Sequence, residues 1–207
     1  MANSLSSEIL AVGLSNNLSF SKFIARKLDH LLSGFQPSEI VGVNDPKDIL
    51  KQYCDARGIR YSAKQCKGRA DAVHIIEKVN RLVMFWTGRD THDLIFCAIS
   101  ARVPYKIVPV PITTVWNKDA DQEFDLYIGR GGPWGNPFPI IPGTNETRDV
   151  VIEKYRQYFA TEILENPSMR AQLLKLQGLR LGCHCKPSSC HGDVIAEFLN
   201  CYLDDHG

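Results

Sequence analysis

The stretch RADAVHIIEKVNRLVMFWT, residues 69–87, decides the fold of the first half of the chain. Residues 69–80 carry apolar side chains at helical spacing, and residues 81–87 form the most apolar of the predicted strands. A strand without polar alternation is typical of a parallel sheet that is covered on both faces. The helix and the strand therefore indicate one crossover unit of such a sheet.

The same alternation of strands and helices extends to both sides of this stretch. Further strands are predicted at residues 8–15, 39–44, 59–63 and 105–112, and further helices at residues 19–32, 46–57 and 91–102. Pro46 is the predicted first residue of the second helix, with Asn44 or Asp45 as its cap. We therefore predict an α/β fold, with a five-stranded parallel-sheet domain over residues 1–113 and a smaller α/β domain over residues 114–207.

Polar loops follow three of the predicted strands, at residues 13–19, 42–48 and 86–93. In parallel sheets ligands bind at this edge, where helix N-termini present free N–H groups that favour phosphate. The predicted ligand contacts in these loops are Ser15, Asn44, Asp45 and Arg89. The alternative is that the Ser, Asn and Asp side chains only cap helices, which such residues commonly do.

The first half resembles the SLOG superfamily of Rossmann-like domains in its order of elements, most clearly over residues 68–86 and 88–108. The resemblance spans about residues 8–112 and implies a domain that binds nucleotides or nucleotide-derived molecules. SLOG domains usually carry a glycine-rich phosphate loop after the second strand, where this chain reads VGVNDPKD and keeps only Gly42. The departure argues against catalysis of the phosphoribohydrolase type.

The second half begins with a polar stretch at residues 113–125, which is predicted to be a connecting loop. Residues 126–144 then contain five glycines and four prolines, a composition that excludes an ordinary helix or central strand. Within this loop Arg130, Trp134 and Asn136 offer a cation, a stacking face and an amide, which suit a base or a ribose phosphate. They are predicted ligand contacts, and the alternative is a purely structural Ω-loop.

Helices are predicted at residues 147–164, 167–178 and 191–203, with a strand at residues 179–185. Arg148 falls in the first turn of the first of these helices and is a further predicted ligand contact.

Residues 180–193, RLGCHCKPSSCHGD, concentrate cysteine and histidine. A structural zinc site needs four tetrahedral ligands, usually from two separated pairs. Cys190 and His191 are adjacent, which argues against both reaching one ion, and the sequence offers no second pair. No metal and no cofactor is therefore predicted.

A reactive thiol is the other chemical interpretation of this segment. Cys190 stands at the predicted start of the last helix, where the helix field lowers a thiol pKa. If the chain is an enzyme, the predicted catalytic residues are Cys190, His191, Asp193 and Lys186, which offer nucleophilic, acid–base and electrostatic roles. The alternative is that these cysteines only pack well, as buried cysteines commonly do.

The second half also resembles an uncharacterised family of bacterial and phage domains, in which the motifs Y-I-G-R, W-G-N-P-F and C-x-C-K-P-x-x-C-H-G-D follow in this order. The resemblance covers about residues 124–201 and implies a ligand-site map without a reaction. The motif residues of this chain are Gly129, Arg130, Trp134, Gly135, Asn136, Pro137, Phe138, Arg148, Cys183, Cys185, Lys186, Pro187, Cys190, His191, Gly192 and Asp193. His184 departs from the aromatic residue that is common between the first two cysteines.

The bulk composition limits the class of protein. A net charge of +1 argues against nucleic acid as the partner, and neither a signal peptide nor an apolar run of about 18 residues is visible. Seven scattered cysteines without a secretion signal predict reduced thiols and a cytoplasmic location. No membrane partner is predicted, and homo-oligomer formation is left open.

Two functions follow from these patterns. The first is capture of a nucleotide-derived small molecule, such as a signal in a conflict between phage and host. The second is an enzyme acting on a nucleotide or nucleoside, for example by cleavage or transfer at the N-glycosidic bond.

Overall fold

The computed structural model of the chain describes residues 8–15, 18–88, 92–120 and 123–207. It divides into two compact units, unit 1 (Met1–Val110) and unit 2 (Pro111–Gly207). This division lies close to the predicted domain boundary after residue 113. Among the described residues, no helix combines the length and the apolar character that a membrane crossing requires.

Unit 1 contains a five-stranded parallel sheet with helices between its strands. The strands are β1 (Ile9–Leu14), β2 (Glu39–Val43), β3 (Arg60–Lys64), β4 (Arg81–Trp86) and β5 (Tyr105–Pro109). The helices are α1 (Ser21–Leu31), α2 (Ile49–Asp55), α3 (Arg69–Ile76) and α4 (His92–Ser100). The strand order is β3-β2-β1-β4-β5, and all neighbours are parallel. The predicted α/β class is confirmed.

The centre of the sheet is formed by the apolar strands β1 and β4. Leu82, Met84 and Phe85 of β4 are buried, because this strand lies between β1 and β5 with side chains covered on both faces. Met84 packs in one core cluster with Ala11 of β1 and Ile76 of α3. The run of apolar residues that predicted a buried strand is thus explained by its central position.

The start of α2 differs from the prediction and bears on phosphate binding. The helix begins at Ile49 rather than Pro46. The Asp45 carboxylate accepts hydrogen bonds from the backbone N–H groups of Ile49, Leu50 and Lys51 at 2.8, 2.9 and 3.2 Å. It also accepts one from the Tyr61 hydroxyl at 3.1 Å. A carboxylate of the chain itself therefore occupies the helix N-terminus at which a phosphate would bind.

Replacing Asp45 by Asn should loosen the first turn of α2. The neutral amide has one acceptor oxygen and cannot accept hydrogen bonds from three N–H groups and a hydroxyl as the carboxylate does. We therefore expect a loss of about 1 kcal/mol in local stability. Hydrogen exchange at the amides of the first turn should become about fivefold faster, by conversion of that energy. Asp48→Asn is the matched control, since Asp48 occupies the N-cap position without a side-chain capping hydrogen bond. Equal exchange in both variants would show that Asp45 does not cap the helix.

Unit 2 contains a three-stranded parallel sheet and three α-helices among its described residues. The strands are β6 (Thr114–Asn117), β7 (Leu126–Tyr127) and β8 (Arg180–Cys183), in the order β6-β8-β7. The helices are α5 (Arg148–Tyr158), α6 (Pro167–Leu174) and α7 (His191–His206), and a π-helical segment, Phe159–Leu164, continues α5. Thr147 caps α5 by accepting a hydrogen bond from Val150 N–H, as expected for its position before the helix.

The prediction of a connecting loop over residues 113–125 was wrong in part. Residues 114–117 form β6, which pairs in parallel with β8 so that Thr114 lies opposite Arg180 and Asn117 opposite Cys183. All four residues of β6 are only half-buried. A strand this short and this evenly exposed has no apolar alternation, so its periodicity gave no signal.

Candidate functional site

A cavity of about 390 Å³ lies within unit 2. Three segments line it: residues of the glycine-rich loop between Tyr127 and Ile140, the first turns of α5 between Arg148 and Ile152, and residues between Cys183 and His191. Its volume falls within the range of cavities that hold small molecules.

The structure brings most of the predicted site residues of unit 2 to this cavity. The predicted residues that line it are Arg130, Asn136, Arg148, Cys190 and His191, and they are joined there by Cys183 and Cys185. Trp134, Lys186 and Asp193 are not among the lining residues.

The glycine-rich loop is held by close backbone packing and by Asn136. A Cβ on Gly135 would lie 2.6 Å from the carbonyl oxygen of Gly129, so only glycine allows these two loop segments to touch. The buried Asn136 amide donates to the Val151 carbonyl at 3.2 Å and accepts from Phe138 N–H at 2.9 Å. Asn136 therefore joins the loop to α5, in addition to facing the cavity.

Trp134 has a packing role that the sequence did not indicate. Its side chain is only 5% exposed and belongs to the core of unit 2. Its carbonyl accepts a hydrogen bond at 2.8 Å from the hydroxyl of Tyr155, which is fully buried. The indole, which was predicted to stack on a ligand, packs in this core and does not line the cavity.

Gly135→Ala should destabilise unit 2, because the added Cβ must displace the backbone of Gly129 and Arg130. We expect a loss of about 1–3 kcal/mol in the free energy of unfolding, as for other overpacked sites. The change can be measured by urea-dependent hydrogen exchange at the amides of α5 and α7. In the control Gly132→Ala, the new Cβ would meet its nearest neighbour at 3.7 Å, an ordinary contact. If both alanine variants were equally stable, the close approach would not matter to the loop.

Two arginines give the cavity its charge. The guanidinium of Arg148, at the start of α5, is half-buried and donates to the Ser189 carbonyl at 3.2 Å. Arg130 is exposed and donates to the Phe138 carbonyl at 3.4 Å. Among the described residues that line the cavity, none carries a carboxylate. The charge of the lining is therefore positive and favours an anion.

Aromatic and apolar side chains form another part of the wall. Tyr127 lies edge-on to His184, with ring centroids 5.8 Å apart, and Phe138 lies edge-on to Tyr158 at 6.2 Å. Ile140 is 43% exposed, so the wall offers apolar surface that a planar ligand group can cover.

Three thiols meet at the base of the cavity. Cys183 ends β8, Cys185 follows in the loop, and Cys190 is the N-cap of α7. Their sulfur atoms all lie within 4.8 Å of one another, and the Cys183 and Cys185 sulfurs are 3.6 Å apart. Cys183 and Cys190 are buried and Cys185 is half-buried, and all three are free thiols. We call these residues the sulfur cluster.

The sulfur cluster stabilises one thiolate and disfavours others. The hydrogen bond from the Cys190 thiol lowers the pKa of Cys183 to about 3, against the opposing effect of burial. The same interaction with Cys183, together with burial, raises the pKa of Cys190 far above its ordinary value. Burial, followed by the charge of Cys183, raises the pKa of Cys185. Burial and the neighbouring thiolate therefore oppose the helix field that was expected to lower the pKa of Cys190, and the reactivity of Cys190 stays a prediction.

His191 is held by a hydrogen bond that orients its ring. It is 5% exposed, and its Nε2 lies 2.8 Å from the Ile128 carbonyl, which can only accept. Nε2 therefore carries the hydrogen, and Nδ1 lies 3.7 Å from the Cys190 sulfur. The ring faces the sulfur cluster through Nδ1.

Lys186 and Asp193 hold the start of α7. The Asp193 carboxylate accepts from Cys190 N–H at 2.9 Å and completes a capping box with the Cys190 side chain. Its other oxygen pairs with the Lys186 ammonium. The two predicted catalytic residues thus pair with each other outside the cavity lining and position Cys190.

The predicted ligand contacts of unit 1 have partners within the chain. Ser15 Oγ accepts from Thr87 N–H at 3.0 Å, and Asn44 Oδ1 accepts from Cys66 N–H at 2.9 Å. Asp45 caps α2, as described above. Arg89 lies outside the described residues. Ligand binding by these four residues stays a prediction.

Comparison with known proteins locates the second half of the chain in a family. A family model described as "Domain of unknown function (DUF4326)" matches residues 113–201. The chain is 40% identical over 83 residues to the "Uncharacterized 12.4 kDa protein in nrdA-td intergenic region" of Enterobacteria phage T4, a match that covers 40% of this chain and 74% of the phage protein. No solved structure matches the chain. The chain therefore belongs to the family of domains of unknown function called DUF4326.

Proposed function

We propose that unit 2 binds an anionic, nucleotide-type small molecule in the cavity between the glycine-rich loop, α5 and the sulfur cluster. One observation carries this proposal: Arg130 and Arg148 both line the cavity, and none of the described lining residues is acidic. Guanidinium groups bind phosphate through paired, charge-assisted hydrogen bonds.

The apolar wall suits the other half of such a ligand. Tyr127, Phe138 and Ile140 present rings and aliphatic surface on the same cavity that the arginines line. Since every nucleobase has two flat faces, stacking on aromatic side chains is a general way to hold it. A phosphate near the arginines and a base near Phe138 would use both parts of the wall.

Binding is favoured over turnover by the position of the predicted catalytic groups. Lys186 and Asp193 pair with each other and hold the start of α7, and neither lines the cavity. Nδ1 of His191 lies against the Cys190 sulfur, and its Nε2 donates a hydrogen bond to the Ile128 carbonyl. Cleavage at an N-glycosidic bond, the alternative, would need a proton donor or base that reaches the ligand.

Two finer expectations remain proposals. The first is that unit 1 is a domain of the SLOG type that also recognises a nucleotide-derived molecule. The second is that the ligand is a signal in a conflict between phage and host. The strand order of unit 1 and the phage relative of unit 2 are compatible with them.

Isothermal titration calorimetry with a panel of nucleotides and their parent nucleosides tests the proposal. We expect at least one nucleotide to bind, and its nucleoside to bind more weakly because the anion is missing. Arg148→Ala should weaken binding about 10- to 100-fold, which is the loss expected for a hydrogen bond to a charged group.

Arg156→Ala is the matched control for this experiment. Arg156 lies on the same helix, is exposed and pairs with Glu197 outside the cavity lining, so its loss should leave nucleotide affinity unchanged. Two results would refute the proposal: no binding across the panel, or equal affinities for the Arg148 and Arg156 variants.

A further inference from the structure

We propose that the sulfur cluster is a Zn²⁺ site, in which Cys183, Cys185 and Cys190 are three thiolate ligands and a water molecule or a bound ligand completes the tetrahedron, as in zinc sites with three protein ligands. This inference does not depend on the nucleotide proposal. It rests on the convergence of three sulfur atoms, which come from the end of β8, from the loop that follows it and from the N-cap of α7.

The distances agree with tetrahedral coordination. Zn–S bonds of about 2.3 Å place two sulfur ligands about 3.8 Å apart in a tetrahedron. The sulfur atoms of Cys183 and Cys185 are 3.6 Å apart, and all three sulfurs lie within 4.8 Å of one another. A disulfide needs sulfurs at about 2.05 Å, so the observed spacing fits ligands of one ion better than a cystine.

The imidazole of His191 lies beside the three sulfurs. Its Nδ1 is 3.7 Å from the Cys190 sulfur, but His191 does not lie within 4.8 Å of all three sulfurs, whereas a fourth tetrahedral ligand would lie about 3.5 Å from each. The opposite ring nitrogen donates to the Ile128 carbonyl, so the ring is held next to the proposed site.

The backbone at the start of α7 holds the Cys190 sulfur in position. Cys190 is the N-cap of this helix and has an extended conformation, with φ −139° and ψ 146°. Gly192 N–H donates to the Cys190 sulfur at 3.3 Å and Asp193 accepts from Cys190 N–H, so the ligand is held in position before any metal binds.

The ligand set selects the ion. Thiolate sulfur and imidazole nitrogen in a tetrahedron are the usual ligands of Zn²⁺, whereas carboxylate and carbonyl oxygens suit Mg²⁺ and Ca²⁺. All three proposed protein ligands are sulfur. We therefore expect Zn²⁺ to bind and Mg²⁺ not to compete.

Metal content measured by inductively coupled plasma mass spectrometry tests the site. The full chain, purified without chelator, should hold about one zinc per chain, and Cys185→Ser should lower this at least tenfold. Cys185 is half-buried, so serine should be tolerated there, and circular dichroism reports whether the variant folds. Cys201→Ser is the matched control, because Cys201 is an exposed cysteine of α7 outside the cluster, and it should keep its zinc.

Cobalt substitution provides a second measurement that needs no variant. Co²⁺ added to the chelator-treated wild-type chain should give the intense charge-transfer and d–d absorption bands of tetrahedral thiolate coordination. Absence of both zinc and the cobalt bands in the folded wild-type chain would overturn the proposal, as would zinc that is retained by the folded Cys185→Ser variant.

The two proposals can fail separately. Arg148→Ala should lose nucleotide affinity and keep its zinc, because Arg148 is not one of the proposed ligands. Loss of zinc from this variant would contradict the assigned ligand set. Failure of every nucleotide to bind a zinc-loaded wild-type chain would refute the proposed function alone.

Discussion

The candidate site depends on one hydrogen bond, from the backbone N–H of Cys190 to the Asp193 carboxylate at 2.9 Å. This bond begins α7 at His191 and holds Cys190 in an extended conformation. It therefore determines where the Cys190 sulfur meets Cys183 at the end of β8. The ion pair with Lys186 balances the charge of Asp193, so that the capping carboxylate remains in place beside the cluster.

The two units use their polar groups differently. In unit 1 the Asp45 carboxylate fills the N-terminus of α2, and Ser15 and Asn44 hold backbone groups of neighbouring strands and loops. In unit 2 the Arg148 guanidinium faces a cavity whose described lining has no carboxylate to neutralise it. This contrast favours unit 2 as the location of the proposed ligand.

Particular residues show where prediction from the sequence succeeded. The apolar run of β4 predicted a central strand, because a strand buried on both faces needs apolar residues on both. Arg130, Arg148 and Cys190, which the sequence analysis named as site residues, line the cavity of unit 2, and their part in binding or chemistry stays a prediction. β6 and Trp134 were missed, since a half-buried strand has no alternation and the Tyr155 hydroxyl that pairs with the Trp134 carbonyl is remote in sequence. The sequence argued against a metal because it does not reveal that the sulfurs of Cys183, Cys185 and Cys190 lie within 4.8 Å of one another.

X-ray absorption spectroscopy at the zinc K-edge of the full chain, purified without added metal, tests the central claim most directly. The sulfur cluster predicts a shell that contains three sulfurs at about 2.3 Å and one lighter ligand atom at about 2.0–2.2 Å. A shell of oxygen and nitrogen alone, or no zinc edge above background, would contradict the assignment of Cys183, Cys185 and Cys190 as a metal site.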